Sequence, residues 1–144
     1  MENLKIAIGA DHGGFKLKEK IIQYLRGKNI EFKDFGTFDE ESCNYPEIAK
    51  KVAQEVANSN FGKGILVCGT GIGMSIAANK IKGIRAALCS DAFSAKASRG
   101  HNDANILCLG QRTVGEGPAI DIVDVWLNSK FEGGRHKIRV DMIE

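Results

Sequence analysis

The 144-residue sequence has no strong excess of charge and no long apolar run, and each absence excludes a class of protein. Its formal net charge is +2, which is too small for an electrostatic grip on nucleic acid or on an anionic membrane. No apolar segment approaches the roughly 20 residues that span a bilayer. The first residues lead directly into a strand-like segment, so we expect no signal peptide. These features predict a cytoplasmic protein that binds neither nucleic acid nor membrane.

The four cysteines lack the spacing of a metal or redox site. They are Cys43, Cys68, Cys89 and Cys108, and no two of them form a Cys-x-x-Cys pair. We therefore expect no zinc site, and we find no other cluster of metal ligands in the sequence. Cys43, Cys89 and Cys108 are interpreted as buried, reduced thiols of a cytosolic protein.

Apolar residues alternate between strand-like runs and helical spacing along the whole chain. Strand-like runs occur at residues 4–9, 30–35, 64–68, 85–89 and 105–109, with helical patterns between them and a short helix predicted after residue 135. This alternation, in a chain of single-domain length, predicts a parallel sheet with helices on both faces. Ligands of such sheets bind at the carboxyl ends of the strands, and we expect the unusual residues of the sequence at that edge.

The first predicted strand ends in a short turn that contains an acid, a histidine and two glycines. The turn reads Asp11-His12-Gly13-Gly14, and its glycines let backbone amides approach an anion at the start of the next helix. His12 would donate to a phosphate or a sugar hydroxyl, and Asp11 would hold a hydroxyl or orient His12. The alternative is an ordinary capping turn in which Asp11 caps the helix and His12 is solvated. The turn lacks the dinucleotide fingerprint Gly-x-Gly-x-x-Gly.

A second glycine-rich turn follows the third predicted strand. Cys68 precedes Gly69–Gly73, where three alternate glycines expose amide groups that suit an anion. A dinucleotide site is the rival interpretation, because Asp91 lies about where a ribose-binding acid is expected. Against it, Met74 occupies the place of the third fingerprint glycine, and no Gly-Lys-Ser/Thr follows to make a P-loop. Cys68, beside a helix start, is a candidate thiolate, with a buried strand cysteine as the alternative.

The remaining candidates are polar or basic residues in the last third of the chain. His101 and Asn102 stand in a turn before the fifth strand, where His101 is either a proton carrier or a solvated loop histidine. Arg112 follows the fifth strand, and Arg135 and Arg139 share a face if the tail is helical. Guanidinium groups suit phosphate, and the alternative is a solvated basic tail. Together with the two glycine turns, the three arginines predict a phosphorylated small molecule as ligand.

Six motifs, in this order, resemble those of the type B ribose-5-phosphate isomerases, whose close relatives are galactose-6-phosphate and allose-6-phosphate isomerases. The motifs are Asp11–Phe15, Cys68–Gly73, Ser75–Lys80, Gly83–Ala86, Ser98–Asp103 and Glu132–His136. The resemblance covers essentially the whole chain. It implies a single-domain, Rossmann-like, three-layer α/β/α sandwich over residues 1–144, with a five-stranded parallel sheet.

The resemblance also implies an activity and a set of site residues. The activity is the interconversion of ribose 5-phosphate and ribulose 5-phosphate through a cis-enediolate, in the pentose phosphate pathway, without a metal or other cofactor. Cys68 would move the proton between C1 and C2, and His101 would assist ring opening. Part of the phosphate grip would come from the tail at about residues 130–144. The family's substrate and phosphate contacts fall on Asp11, His12, Gly69, Thr70, Gly71, Ile72, Gly73, Asn102, Arg112, Arg135 and Arg139.

The expected mechanism assigns supporting roles to two further groups. Asp11 or a water would partner His101 in ring opening, and the loop amides with Thr70 would stabilise the enediolate. Some relatives use a carboxylate in the glycine-rich loop, but residues 69–80 contain no Asp or Glu, which favours Cys68 as base. Asn44 stands where many relatives carry Asp, a change that we expect to matter little because Tyr45 is retained.

The resemblance further implies a homodimer or a dimer of dimers whose active sites take residues from two subunits. Two other functions stay open. One is isomerisation of a hexose phosphate, allose 6-phosphate or galactose 6-phosphate, which needs the same motifs. The other is a non-catalytic module that binds sugar phosphates or nucleotides. Cys68 and His101 argue against that module, since a pure binder needs no proton carrier.

Overall fold

The computed structural model of the chain describes residues 4–143, and within them strands and helices alternate as predicted. The strands are β1 (Ile6–Ala10), β2 (Phe32–Asp34), β3 (Lys63–Cys68), β4 (Ala86–Leu88) and β5 (Ile106–Gly110). The helices are α1 (Phe15–Gly27), α2 (Tyr45–Ala57), α3 (Ile72–Ala78), α4 (Ala92–Gly100), α5 (Glu116–Asn128) and α6 (Arg135–Asp141). No helix among these residues is long and apolar enough to cross a bilayer.

All strand pairs in the sheet are parallel, and the strand order is β2-β1-β3-β5-β4. Every residue of β1, β3 and β5 is buried, as expected for strands covered on both faces. The direction in which strands are added reverses between β1 and β3. The chain first places β2 on one side of β1, and then places β3, β5 and β4 on the other side. The crevice at this switch point is where a parallel sheet opens to a ligand. The predicted α/β fold with a five-stranded parallel sheet is confirmed.

Helices cover both faces of the sheet and enclose two apolar cores. One core packs α1 and α5 against the sheet through side chains such as Ile21, Leu25 and the fully buried Trp126. The other packs α2 and α3 against the opposite face through Val52 and Met74. Helix α6 has no buried residue. The packed core therefore comprises the sheet with its first five helices, and α6 lies on the outside.

Helix α4 runs between the two sides of the sheet where the strand ends lie. We call the side where the parallel strands end the carboxyl edge, and the side where they begin the amino edge. Asp91 caps the first turn of α4, since its Oδ1 accepts a hydrogen bond from the Ser94 amide at 2.7 Å. Because α4 lies between two parallel strands, it runs from the carboxyl edge back to the amino edge. His101 follows its last residue and therefore lies at the amino edge, together with Asn102. The expectation that all unusual residues lie at the carboxyl edge is wrong for these two.

The outer edge of β4 is closed by a side chain. The Asn79 amide nitrogen donates to the Ala86 carbonyl at 3.0 Å, and the Asn79 carbonyl oxygen accepts from the Ala86 amide at 2.8 Å. Asn79 thus satisfies a backbone donor and acceptor that face away from β5.

Candidate active site

The thiol of Cys68 is the centre of a backbone-built site at the carboxyl end of β3. The residue is 6% exposed, and its Sγ accepts a hydrogen bond from the Gly71 amide at 3.0 Å. Gly71 has φ +80°, and a Cβ there would lie 2.9 Å from the Leu109 carbonyl carbon, so only glycine fits without strain. The hydrogen bond from the Gly71 amide therefore fixes the position of the sulfur at the end of β3.

Arg112 runs alongside the same loop. Its amide donates to the Gly69 carbonyl at 2.9 Å, and the Gln111 amide donates to the Cys68 carbonyl at 2.9 Å. A Cβ on Gly69 would meet the Arg112 Cδ at 3.6 Å and its Nη1 at 3.9 Å. Arg112 was predicted as a site residue from its position after the fifth strand. Its exposed guanidinium does lie next to the glycine-rich turn.

The turn after β1 packs directly on this loop. A Cβ on Gly13 would lie 3.3 Å from the Gly69 amide nitrogen. Asp11 is buried and its Oδ1 accepts from the Gly14 amide at 3.1 Å, so the carboxylate fixes the turn before α1, whose N-cap residue is Gly14. The carboxylate is thereby held at the switch point beside the glycine-rich turn.

His12 is not a solvated side chain. Its Nδ1 accepts a hydrogen bond from the Cys43 amide at 3.3 Å, and the imidazole is half-buried. A neutral imidazole that accepts at Nδ1 carries its proton on Nε2, so His12 presents a donor. A neutral donor next to two glycine turns suits the oxygen of a phosphate or a sugar hydroxyl.

Tyr45 joins the site through tertiary packing. Its ring lies against the glycine-rich turn, where a Cβ on Gly73 would approach the Tyr45 Cε1 to 2.6 Å. Thr70 Oγ1 accepts from the Ile72 amide at 3.2 Å, which orders the exposed middle of the turn. Sequence reasoning noted Tyr45 only as a retained residue, because nothing in its local spacing indicates that α2 rests on α3.

A second group of predicted residues lies at the amino edge. A cavity of about 380 Å³ there is lined by His101, Asn102, His136, Arg139, Val140 and Ile143. The rings of His101 and His136 stack with centroids 4.3 Å apart and planes within 4°. Glu132 reaches both rings, at 3.5 Å from His101 Nε2 and 3.7 Å from His136 Nε2. Removal from water and the neighbouring His101 and Arg135 lower the pKa of His136, which favours its neutral imidazole.

The two groups do not meet within one chain. Cys68 pairs with Gly110 at the end of β5, whereas His101 precedes Ile106 at its start. The strand alone separates its two ends by about 13 Å. Arg135 and Arg139 belong to the His101 side, since α6 carries His136 onto that ring.

The structure also corrects the expectation that the chain has no cluster of metal ligands. Ligand atoms of His101, Glu132 and His136 lie within 4.8 Å of one another. Sequence spacing missed the cluster because about thirty residues and the whole of β5 and α5 separate His101 from the other two.

Comparison with known proteins identifies the family. A family model described as Ribose/Galactose Isomerase matches residues 6–143. "Ribose-5-P isomerase B" of Listeria innocua is 52% identical over 141 residues, which cover 98% of this chain and 95% of the relative. "Ribose-5-phosphate isomerase B" of Escherichia coli is 51% identical over 96% of this chain and 93% of the relative.

A solved structure agrees with these relatives. The Clostridium thermocellum Ribose-5-Phosphate Isomerase B superimposes with a TM-score of 0.96 and 53% identity, over 96% of this chain and 94% of that one. The chain therefore belongs to the ribose/galactose isomerase family, and the resemblance of its six motifs is confirmed.

Proposed function

We propose that this member of the ribose/galactose isomerase family interconverts ribose 5-phosphate and ribulose 5-phosphate, a step of the pentose phosphate pathway. The observation that carries the proposal is the Cys68 sulfur, held by the Gly71 amide at 3.0 Å beside the Arg112 guanidinium. A proton carrier next to a phosphate-binding cation is what an aldose–ketose isomerase of sugar phosphates requires. The relatives named ribose-5-phosphate isomerase B support the choice of substrate.

The reaction begins with opening of the furanose ring. A proton must reach the ring oxygen while the C1 hydroxyl loses one, and His101 is the group proposed to assist. His101 is exposed, so its imidazole can contact a sugar that is bound to a second copy of the chain. Asp11 or a water is the partner on the other side of the ring.

Proton transfer between carbons follows in the open-chain sugar. The Cys68 thiolate takes the C2 proton, the electron pair forms the C1–C2 double bond of a cis-enediolate, and the thiol returns the proton to C1. The proton on the C2 hydroxyl moves to the C1 oxygen, so that aldose becomes ketose with no net gain or loss. Amides of Gly69–Gly73 with Thr70 stabilise the enediolate charge, and no step uses a metal ion or another cofactor.

The phosphate is proposed to be held by groups from both edges of the sheet. His12 and Arg112 lie at the carboxyl edge beside Cys68, and Arg135 and Arg139 lie on α6 at the amino edge. Guanidinium forks bind phosphate oxygens in pairs, and an anchored phosphate keeps C1 and C2 within reach of the thiol.

A site with these members needs two copies of the chain. Since Cys68 and His101 lie at opposite edges of one sheet, one copy supplies the thiol, and a second copy supplies His101, Asn102 and the α6 arginines. Exposed apolar side chains on α3 and at the start of α4, Ile72, Ile76 and Phe93, offer a surface for such a partner. We therefore propose a homodimer, or a dimer of dimers, with shared active sites. The four free cysteines suit the reducing cytoplasm.

The test of the activity is turnover of ribose 5-phosphate by purified protein in EDTA, with two thiol variants alongside. Cys68→Ala is expected to lose about 10²–10⁴-fold in kcat, as for loss of a positioned acid–base group. Cys43→Ala is the matched control, because it removes a half-buried thiol and keeps the backbone amide that holds His12. Near-native turnover by Cys68→Ala would refute the base, and an inactive wild-type chain would refute the substrate.

A hexose phosphate is the second candidate substrate, because the description of the matching family model includes galactose isomerases. Its chemistry is the same, and the pocket must hold one more carbon. Comparison of kcat/KM on ribose 5-phosphate, allose 6-phosphate and galactose 6-phosphate separates the candidates.

A further inference from the structure

Three side chains at the amino edge form a compact set of ligand-type atoms. They are His101, at the end of α4, and Glu132 and His136, around the start of α6. The Glu132 carboxylate spans the two stacked rings, with one oxygen 3.5 Å from His101 Nε2 and the other 3.7 Å from His136 Nε2. The Glu132 amide donates to the Gly100 carbonyl at 3.0 Å, so the segment that carries Glu132 is anchored beside His101.

The two distances from Glu132 to the imidazoles are close to those between ligands of a bound transition metal, and all three ligand atoms lie within 4.8 Å of one another. In a tetrahedral zinc site with bonds of about 2.0–2.1 Å, neighbouring ligand atoms lie roughly 3.3 Å apart. The rings are parallel, so one must tilt for the Nε2 lone pairs to converge on one ion, and the tilt falls on His101 because the His136 side chain is only 12% exposed. The side chains of His101 and Glu132 are 48% and 58% exposed, which leaves them free to turn. The adjoining cavity of about 380 Å³ has room for a water in the fourth position.

We propose that His101, Glu132 and His136 bind a divalent transition metal ion of the zinc type, and that the bound ion inhibits the isomerase. Two imidazoles and one carboxylate suit Zn²⁺ or Co²⁺, whereas Mg²⁺ and Ca²⁺ prefer oxygen ligands. The inhibition rests on the proposed function, because a metal ion on Nε2 of His101 occupies the lone pair needed for ring opening. The positive charges of Arg135 and Arg139 lie nearby and repel a bound metal cation, so we expect the site to release its metal to chelators.

Binding is tested on the untagged full-length chain after treatment with EDTA and its removal. Zn²⁺ affinity is measured by competition with a chromophoric chelator, and Co²⁺ is added as a spectroscopic probe. The wild type is expected to bind one ion per chain, with the visible absorption of four-coordinate cobalt. Glu132→Gln and His136→Asn are expected to weaken binding by about tenfold or more. Asp141→Asn, an exposed carboxylate on the same tail, is the matched control and keeps the wild-type affinity.

The catalytic thiol is the competing ligand for zinc, and two variants separate it from the proposed site. Cys68→Ala should keep the zinc affinity and the cobalt spectrum. Binding that is lost in Cys68→Ala and kept in Glu132→Gln would overturn the proposal, as would a wild-type chain that binds no zinc.

Inhibition is read as the ratio of kcat/KM in EDTA to kcat/KM in buffered Zn²⁺, measured within each variant. This ratio is expected to be about tenfold or more for the wild type and for Asp141→Asn, and close to one for Glu132→Gln. Equal inhibition of wild type and Glu132→Gln would overturn the inhibitory role. If the chain binds no zinc at this cluster, its turnover of ribose 5-phosphate in EDTA is unaffected, and the proposed function still stands. If the chain binds zinc at this cluster but does not isomerise ribose 5-phosphate, only the proposed substrate is refuted.

Discussion

The two edges of the sheet hold their functional groups in different ways. At the carboxyl edge, Cys68 and the glycine-rich turn are fixed by backbone hydrogen bonds and by close contacts that exclude a Cβ. At the amino edge, His101 follows α4 and stacks on His136 of α6, a helix with no buried residue, and Glu132 reaches both rings. Folding of one chain therefore completes the first group, while the second keeps side-chain freedom and suits contact with another molecule.

The largest predicted effect comes from mixing two inactive variants. Cys68→Ala and His101→Ala are each expected to lose about 10²–10⁴-fold in turnover. If the edges of two copies form one site, a mixed dimer has one site with both wild-type residues and one with neither. After unfolding together and refolding at equal amounts, activity is expected to return to about a quarter of wild type.

The control for this mixture is each variant refolded alone, which should stay inactive. Activity no higher than the sum of the two variants would show that Cys68 and His101 of different copies do not share a site.

A second prediction concerns the phosphate groups on α6. Loss of a charge-assisted hydrogen bond costs about 1.5–3 kcal/mol, so Arg135→Ala or Arg139→Ala is expected to raise KM for ribose 5-phosphate about 10- to 100-fold. Lys137→Ala is the matched control, because Lys137 lies on the same helix and pairs with Asp141 in solvent. Steady-state kinetics decides, and an unchanged KM in both arginine variants would remove the tail from the phosphate site.

A third prediction compares two glycines and tests how rigidly the carboxyl edge is built. A Cβ on Gly14 would lie 2.5 Å from the Val67 carbonyl, directly before Cys68, whereas a Cβ on Gly117 in α5 meets nothing within 4 Å. Gly14→Ala is expected to lower the free energy of unfolding by about 1–3 kcal/mol. Gly117→Ala should be neutral or stabilising by up to about 1 kcal/mol. Urea unfolding measures both, and equal stability of the two variants would contradict a close-packed edge.

The smallest predicted effect lies in α4, which joins the two edges. Hydrogen bonds from the Ser94 amide and hydroxyl lower the pKa of Asp91. A carboxyl with a lowered pKa in the folded state stabilises that state above its unfolded pKa of about 3.9, and the contribution is lost as pH falls through the folded value. Asp91→Ala should therefore unfold at lower urea than wild type at pH 7, with a difference that shrinks in acid.

The control for this prediction is Asp121→Ala, which removes an exposed acid from α5. Its difference from wild type should not follow the acid dependence of Asp91→Ala. A difference in urea stability between wild type and Asp91→Ala that stays constant from pH 7 into acid would contradict the role of the ionised cap.

Sequence patterns predicted the carboxyl edge well because its information is local. A buried strand, alternate glycines and a helix follow one another within residues 63–78, and the structure puts Cys68 against Gly71 as that order implies. The fifth strand was predicted at 105–109 and lies at Ile106–Gly110, a shift of one residue. Such shifts arise because hydrogen bonds to the neighbouring strands decide where a strand ends. The apolar run of one strand carries no information about those neighbours.

The amino edge and Tyr45 depend on tertiary packing and could not be predicted in the same way. The contact of His101 with His136 requires α5 to return the chain across the sheet and α6 to lie beside the end of α4. Tyr45 reaches Gly73 only because α2 and α3 cover the same face. Neither contact leaves a periodic signal, although the resemblance to the family did single out both histidines and Tyr45.

The paired hydrogen bonds between Asn79 and Ala86 bear on how copies of the chain can associate. A sheet that ends in free backbone groups invites a neighbour to add a strand, and this route leads from dimers to open-ended fibres. Asn79 occupies the donor and acceptor that such a neighbour would need at Ala86. A neighbouring strand therefore cannot pair at Ala86 unless it first displaces the Asn79 side chain.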